Sequence, residues 1–148
     1  MVSLNGAAQV DLTGQVASEQ MGGSRPTMIS GTGGQLDFVL GTLLSQDQKG
    51  CSVLAVYSEY QGNSRIVPLL ERGANVTVPR SLVDHVATEW GIARLRDLTL
   101  NERALALAAI AHPKHRDRLL RQACEAGLLP YGHRSVDQLP AGVLVRRD

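Results

Sequence analysis

From position 29 to 38 the chain reads ISGTGGQLDF, three glycines in four positions followed at once by the start of a helical pattern. Leu36, Phe38, Val39, Leu40, Leu43 and Leu44 fall largely on one side of a helix, and residues 27–30 suit a short strand. A strand that turns through bare backbone into a helix belongs to α/β architecture. Such a turn presents unshielded N–H groups at a helix N-terminus, where the peptide dipoles favour negative charge. Two occupants suit it: a phosphate, or an oxyanion forming on a carbonyl. The segment lacks the Lys-Ser/Thr of a P-loop and the third spaced glycine of a dinucleotide fingerprint, so the standard phosphate readings fit poorly. A tight turn with no ligand stays open beside the oxyanion.

The flanking sequence continues the α/β pattern. Residues 2–16 hold short apolar pieces broken by Gly6 and by Thr13-Gly14, which predicts two strands joined by a turn, and residues 22–26 form a loop. Residues 52–56 are a nearly all-apolar run of the kind found in strands covered on both faces. Residues 64–68, 76–78 and 83–88 add short extended pieces between Gly62, Pro68, Gly73 and Pro79. From Thr99 the pattern changes. Thr99 and Glu102 make a capping box, residues 103–110 are strong helix formers, and Pro113 both stops that helix and can open another. Leu119, Leu120 and Ala123 lie on one face of the second helix and Gly127 ends it, giving a helical hairpin. Residues 129–148, with Pro130 and Pro140, predict an extended tail packed locally or on a partner.

Composition narrows the function. A chain of 148 residues suits one compact unit, and 43% apolar residues with a net charge of +1 argue against disorder and against a strongly basic nucleic-acid binder. With three Tyr, one Trp and one Phe there are few rings for base stacking, so no nucleic-acid partner is expected. Cys51 and Cys124 lack CxxC spacing and read as reduced thiols. No basic leader or run of roughly 18 apolar residues is present, so the expectation is a soluble, cytoplasmic chain without a membrane partner. His112 and His115 have no third ligand in their sequence neighbourhood, and no metal is expected there. The basic run from Lys114 to Arg121 is interleaved with Asp117, Leu119 and Leu120, the pattern of an amphipathic helix with a solvated face.

The segments SLNGAAQVDLTGQV, ISGTGGQLDF, SRIVP, VTVPR and VATEWGIARLRDLTLNERALALAAIAHPKHRDRLL, in this order and spacing, resemble the C-terminal part of the acetyl-CoA hydrolase/transferase family. That family includes 4-hydroxybutyrate and succinyl-CoA:acetate CoA-transferases. The resemblance runs from about Val2 to about Leu128, which implies a domain over residues 1–128 and an extension over 129–148. It implies an α/β, open-sheet CoA-transferase-like domain with a C-terminal helical hairpin, one of two similar domains that enclose the active site. In such enzymes a Glu attacks the acyl-CoA and forms a glutamyl-CoA thioester. The resemblance makes Gly33, with Gly34 beside it, the backbone donor to the oxyanion, and Glu89 a carboxylate near the active site. Gly31, Gln35, Ser64 and Arg65 become candidates for contact with substrate or CoA. Acyl-CoA and a small carboxylate are the implied substrates, with no permanently bound cofactor, and an N-terminal CoA-transferase domain or subunit is the implied partner in a homo- or hetero-oligomer.

The nucleophilic Glu of the family lies upstream of the segment that matches Val2, so these residues alone are expected to be inactive. Glu19 stands near the glycines but in a stretch where members differ, and it reads as a surface carboxylate. Relatives often carry Ser-x-x-Lys-x-Gly where this chain has Ser58-Glu59-Tyr60-Gln61-Gly62, a change that lowers attraction for CoA phosphates. Asp37 and Gln35 suit capping the helix or fixing the loop. Glu89, beside Trp90, must be hydrogen-bonded or have a raised pKa, and holding the Gly91 turn is its structural alternative. A non-catalytic remnant, or a module that binds acyl-CoA or a partner, is the alternative to an enzyme part.

Overall fold

The computed structural model describes residues 1–133, 135–136 and 138–146; positions 134, 137, 147 and 148 of the predicted tail lie outside the described residues. In chain order the elements are β1 (Val2–Gly6), β2 (Gln9–Asp11), β3 (Val16–Ala17), β4 (Gln20–Met21), β5 (Thr27–Met28), α1 (Gln35–Leu43), β6 (Cys51–Ala55), β7 (Glu59–Tyr60) and β8 (Asn63–Ser64). They continue with β9 (Ile66–Val67), β10 (His85–Thr88), β11 (Gly91–Arg94), α2 (Leu100–Ala109), α3 (Pro113–Glu125) and β12 (Val143–Val145).

The main sheet has the order β1-β6-β10-β11-β12. Its first three strands are parallel, and β11 and β12 are added antiparallel. The parallel β1–β6 pair needs a crossover, and α1 supplies it, packing on both strands. The expected helix forms and begins at Gln35 with Gly34 as its N-cap, whereas the strand expected over residues 27–30 is reduced to β5, which pairs with β4 in a separate two-stranded sheet, so the strand that enters the crossover is β1.

The expected strand–turn–strand over residues 2–16 turns out differently. Both strands exist, but β1 lies in the main sheet while β2 pairs with β3 and β9 in a second sheet. The reason is visible in the hydrogen bonds at the joint: Ala7 N–H still donates to Ala55 O at 2.8 Å, whereas Ala8 N–H donates to Ala17 O at 3.1 Å. Gly6-Ala7-Ala8 thus hands the chain from one sheet to the other. Residues 76–78 make a single bridge, Val16 to Val78, rather than a strand.

At the C-terminal end the capping box is present, with Thr99 N–H donating to Glu102 Oε2 at 2.8 Å and Glu102 N–H to Thr99 Oγ1 at 3.3 Å. Pro113 stands in the first turn of α3, completing the helical hairpin. Besides the short β4 and β7, two strands in this part of the chain depart from the sequence expectation. β11 arises because the chain reverses directly after β10, and β12 brings the tail back onto β11 with Ile92 opposite Leu144. Gly91 permits this approach, since a Cβ there would stand 2.3 Å from Leu144 O.

Alternation along the strands gives the main sheet two unlike faces. One carries Ser3, Ser52, Leu54, Val86 and Ala93, all buried in a core shared with Val39 of α1 and with Leu107 and Ile110. The other carries Val2, Leu4, Val53, Ala55 and Leu144, of which Val2, Leu4 and Leu144 are 74%, 73% and 70% exposed. The expectation that β6 is covered on both faces thus holds for one face only within the described residues. Among those residues no helix is long and apolar enough to cross a membrane.

Candidate active site

The carboxyl ends of parallel strands in open α/β sheets are where ligands bind. Here the ends of β1, β6 and β10 open into a cavity of about 790 Å³ lined by Gly6, Ala7, Ala55, Tyr57, Ala87 and Glu89, among others. A smaller one of about 340 Å³ adjoins it, sharing Ala7, Ala8, Ile29 and Tyr57, and adds Met21, Tyr60 and Arg65. Small residues at the strand ends leave the floor open.

Glu89 follows β10 directly and is the acidic group of the larger cavity. Its carboxylate accepts two hydrogen bonds from one residue, Ser58 N–H at 3.1 Å and Ser58 Oγ–H at 2.7 Å. Partial burial pushes Glu89 toward protonation, but the Ser58 hydroxyl, backbone donors and nearby His112 outweigh it and hold its pKa below the ordinary 4.5. Glu89 is therefore an ionised, oriented carboxylate. The turn itself is fastened by its neighbour: Thr88 Oγ1 accepts from Trp90 N–H at 3.0 Å and donates to Ile110 O at 2.6 Å.

Gly31, Gly33 and Gly34 lie in an exposed loop leading into α1. The N-cap Gly34 has no side chain to satisfy the first-turn amides, which stay available to an external acceptor. A Cβ at Gly31 or Gly33 would meet nothing within 4 Å among the described residues. A need for glycine at position 33 would have to come from something outside these residues that approaches the backbone. Gln35 connects the loop to the cavity, its Nε2 donating to Gly6 O at 2.7 Å while its Oε1 is buried with no hydrogen-bond partner among the described residues. The loop is thereby tethered at the rim of the strand-end cavity.

The other predicted contacts are placed apart. Ser64 is buried and donates to Ile66 O at 2.6 Å, inside the chain's own turn. Arg65 faces the smaller cavity, stacked 4.9 Å from the Tyr60 ring centre and donating from Nη1 to Met21 Sδ at 2.7 Å. Glu19 lines neither cavity. Glu59, the acidic residue in the Ser58–Gly62 stretch, is paired with Lys114, which compensates its charge locally, and accepts a hydrogen bond from His115 Nε2 at 3.0 Å. Ser58 is the residue that sequence reasoning passed over. It is the first position of the divergent motif, and its partner Glu89 stands 31 positions away.

The fold is that of an open-sheet α/β domain of CoA-transferase type, with a cavity at the strand ends. Residues 1–123 match the acetyl-CoA hydrolase/transferase C-terminal domain, and the chain belongs to that family. It is similar to 4-hydroxybutyrate coenzyme A transferase of Clostridium kluyveri, 48% identical over 122 residues that cover 82% of this chain and 28% of that protein. It is also similar to succinyl-CoA:acetate/propanoyl-CoA:succinate CoA transferase of Fasciola hepatica, 43% identical over 82% of this chain and 25% of that one. Among solved structures, RipA from Yersinia pestis superposes with a TM-score of 0.72 at 38% identity, over 86% of this chain and 26% of its own. The 4-hydroxybutyrate CoA-transferase of Porphyromonas gingivalis gives 0.63 at 38% identity, over 85% and 27%. The chain thus spans little more than a quarter of the length of such relatives.

Proposed function

We propose that this chain is the C-terminal wall of an acyl-CoA:carboxylate CoA-transferase or acyl-CoA hydrolase, and that it works against an N-terminal domain, in the same chain or another subunit, that brings a nucleophilic Glu. The observation that carries the proposal is the ionised Glu89, clamped by Ser58 in the wall of the strand-end cavity, with the glycine loop tethered at the rim through Gln35.

A carboxylate is a weak nucleophile toward a thioester. Its attack needs water excluded and N–H donors aimed at the oxygen that becomes negative, each worth about 3 kcal/mol. Gly33 and Gly34 N–H supply those donors. The attacking oxygen bonds to the thioester carbon, the carbonyl oxygen takes the charge, and the intermediate collapses with loss of CoA thiolate. CoA thiolate then attacks the resulting anhydride at the glutamyl carbon and releases the acyl carboxylate, leaving a glutamyl-CoA thioester that an acceptor carboxylate or water resolves. The bare apolar face of the main sheet supports a covering partner, since parallel sheets are ordinarily covered on both faces.

The test combines this chain with an N-terminal family domain carrying the Glu and assays CoA transfer from acyl-CoA to acetate. Activity is expected, and Gly33→Val should lower kcat by roughly 10²-fold or more while leaving the circular dichroism of the chain unchanged. A folded, associated pair with no transfer or hydrolysis would sink the proposal.

A further inference from the structure

At the end of the main sheet opposite the cavity, the first residues of β6 and β10, with Asp84 just before β10, bring together Cys51, Asp84 and His85, whose ligating atoms all lie within 4.8 Å of one another. Cys51 Sγ stands 3.5 Å from His85 Nδ1, and Asp84 Oδ2 stands 3.2 Å from the same nitrogen. Two groups therefore converge on one imidazole nitrogen, which carries one proton or none. With the proton on Nδ1, the bond goes to the carboxylate and leaves the thiol without a strong partner there. Without it, the Cys51 S–H can donate to the nitrogen, but the same lone pair also faces the Asp84 carboxylate. A cation between the three groups removes the conflict.

We propose that Cys51, Asp84 and His85 form a binding site for a divalent ion of the zinc class, with water as the fourth ligand. In tetrahedral zinc sites, metal–ligand distances of about 2.0–2.3 Å place neighbouring ligand atoms about 3.3–3.6 Å apart, close to the 3.5 and 3.2 Å that separate His85 Nδ1 from Cys51 and Asp84, and the thiol and carboxylate, within 4.8 Å of each other, need a small adjustment. The donor set of thiolate, imidazole and carboxylate is the one zinc accepts and magnesium or calcium does not favour. Binding forms a sulfur–metal bond and releases the thiol proton to solvent. Arg96 opposes the ion. Its Nη2 is 3.3 Å from Asp84 Oδ2, an ion pair in which this buried nitrogen makes no hydrogen bond among the described residues, so the carboxylate keeps lone pairs for a metal. The site joins β6 to β10 across 34 positions of sequence and stabilises the sheet rather than the cavity end.

The test is titration of the metal-free full chain with cobalt(II), followed by competition with zinc. A near-ultraviolet sulfur-to-cobalt absorption band at one equivalent, displaced by zinc, is expected, together with a rise in melting temperature when zinc is added. Cys51→Ser should abolish the band, His85→Ala should weaken binding at least tenfold, and Cys124→Ser should change neither. Arg96→Gln should tighten binding several-fold by removing the competing charge. No band at millimolar cobalt, a band that survives Cys51→Ser, or one lost with Cys124→Ser would overturn the site; tightening absent in Arg96→Gln would overturn the part assigned to Asp84.

Discussion

At the scale of single residues, Glu89 and His115 both titrate below their ordinary values, for different reasons. For Glu89 the Ser58 hydrogen bonds overcome burial. For His115, burial is the main cause of the lowering, with Glu59 pulling the other way. The stability consequences share a direction. A histidine that resists its proton when folded contributes nothing extra above the unfolded value of about 6.5, and stability falls as the pH drops below that until the folded group titrates. A carboxylate lowered from 4.5 adds stability above that pH, which is lost as the pH falls through the folded value. NMR titration of His115 is expected to give a midpoint below 6.5, and thermal melts should show stability declining from about that pH downward; a midpoint at or above 6.5 would contradict the buried environment. That Glu89 must be either hydrogen-bonded or raised followed from its neighbours in sequence. Which of the two holds depended on Ser58, which only the fold brings to it.

At the scale of elements, the helices were the most legible because their determinants lie within one turn. Thr99 and Glu102 satisfy two N-terminal amides reciprocally, and Pro113 stands where a missing N–H does no harm. Thr99→Ala should cost about 1 kcal/mol, measurable as a lower urea midpoint with an unchanged slope; no loss would mean that packing alone holds α2. Strands were less legible. Residues 2–16 show two extended pieces, yet nothing local says that Gly6-Ala7-Ala8 switches sheets, because the partners Ala55 and Ala17 are chosen by the folded chain. β12 depends likewise on Gly91, whose bare backbone admits Leu144 O.

At the scale of the molecule, one face of the main sheet is packed and the other leaves Val2, Leu4 and Leu144 in solvent. Exposed apolar patches of this kind mark interaction surfaces. The chain by itself is expected to self-associate in sedimentation experiments. A Leu4→Glu, Leu144→Glu variant should be more monomeric and should bind the N-terminal family domain at least tenfold more weakly, while melting within a few degrees of the parent. A variant that binds the domain as well as the parent would remove this face from the interface. By itself the sequence determined the α/β class, the helix that follows the glycines, the capped helical hairpin and the family, because periodicity, capping and motif order are carried by residues near one another along the chain. Only the tertiary structure decided the strand order, the Ser58 clamp on Glu89, the tether from Gln35 to Gly6 and the meeting of Cys51 with Asp84 and His85. Each of these joins residues tens of positions apart, and such pairs are selected by closure of the sheet and burial of one of its faces, which no local pattern encodes.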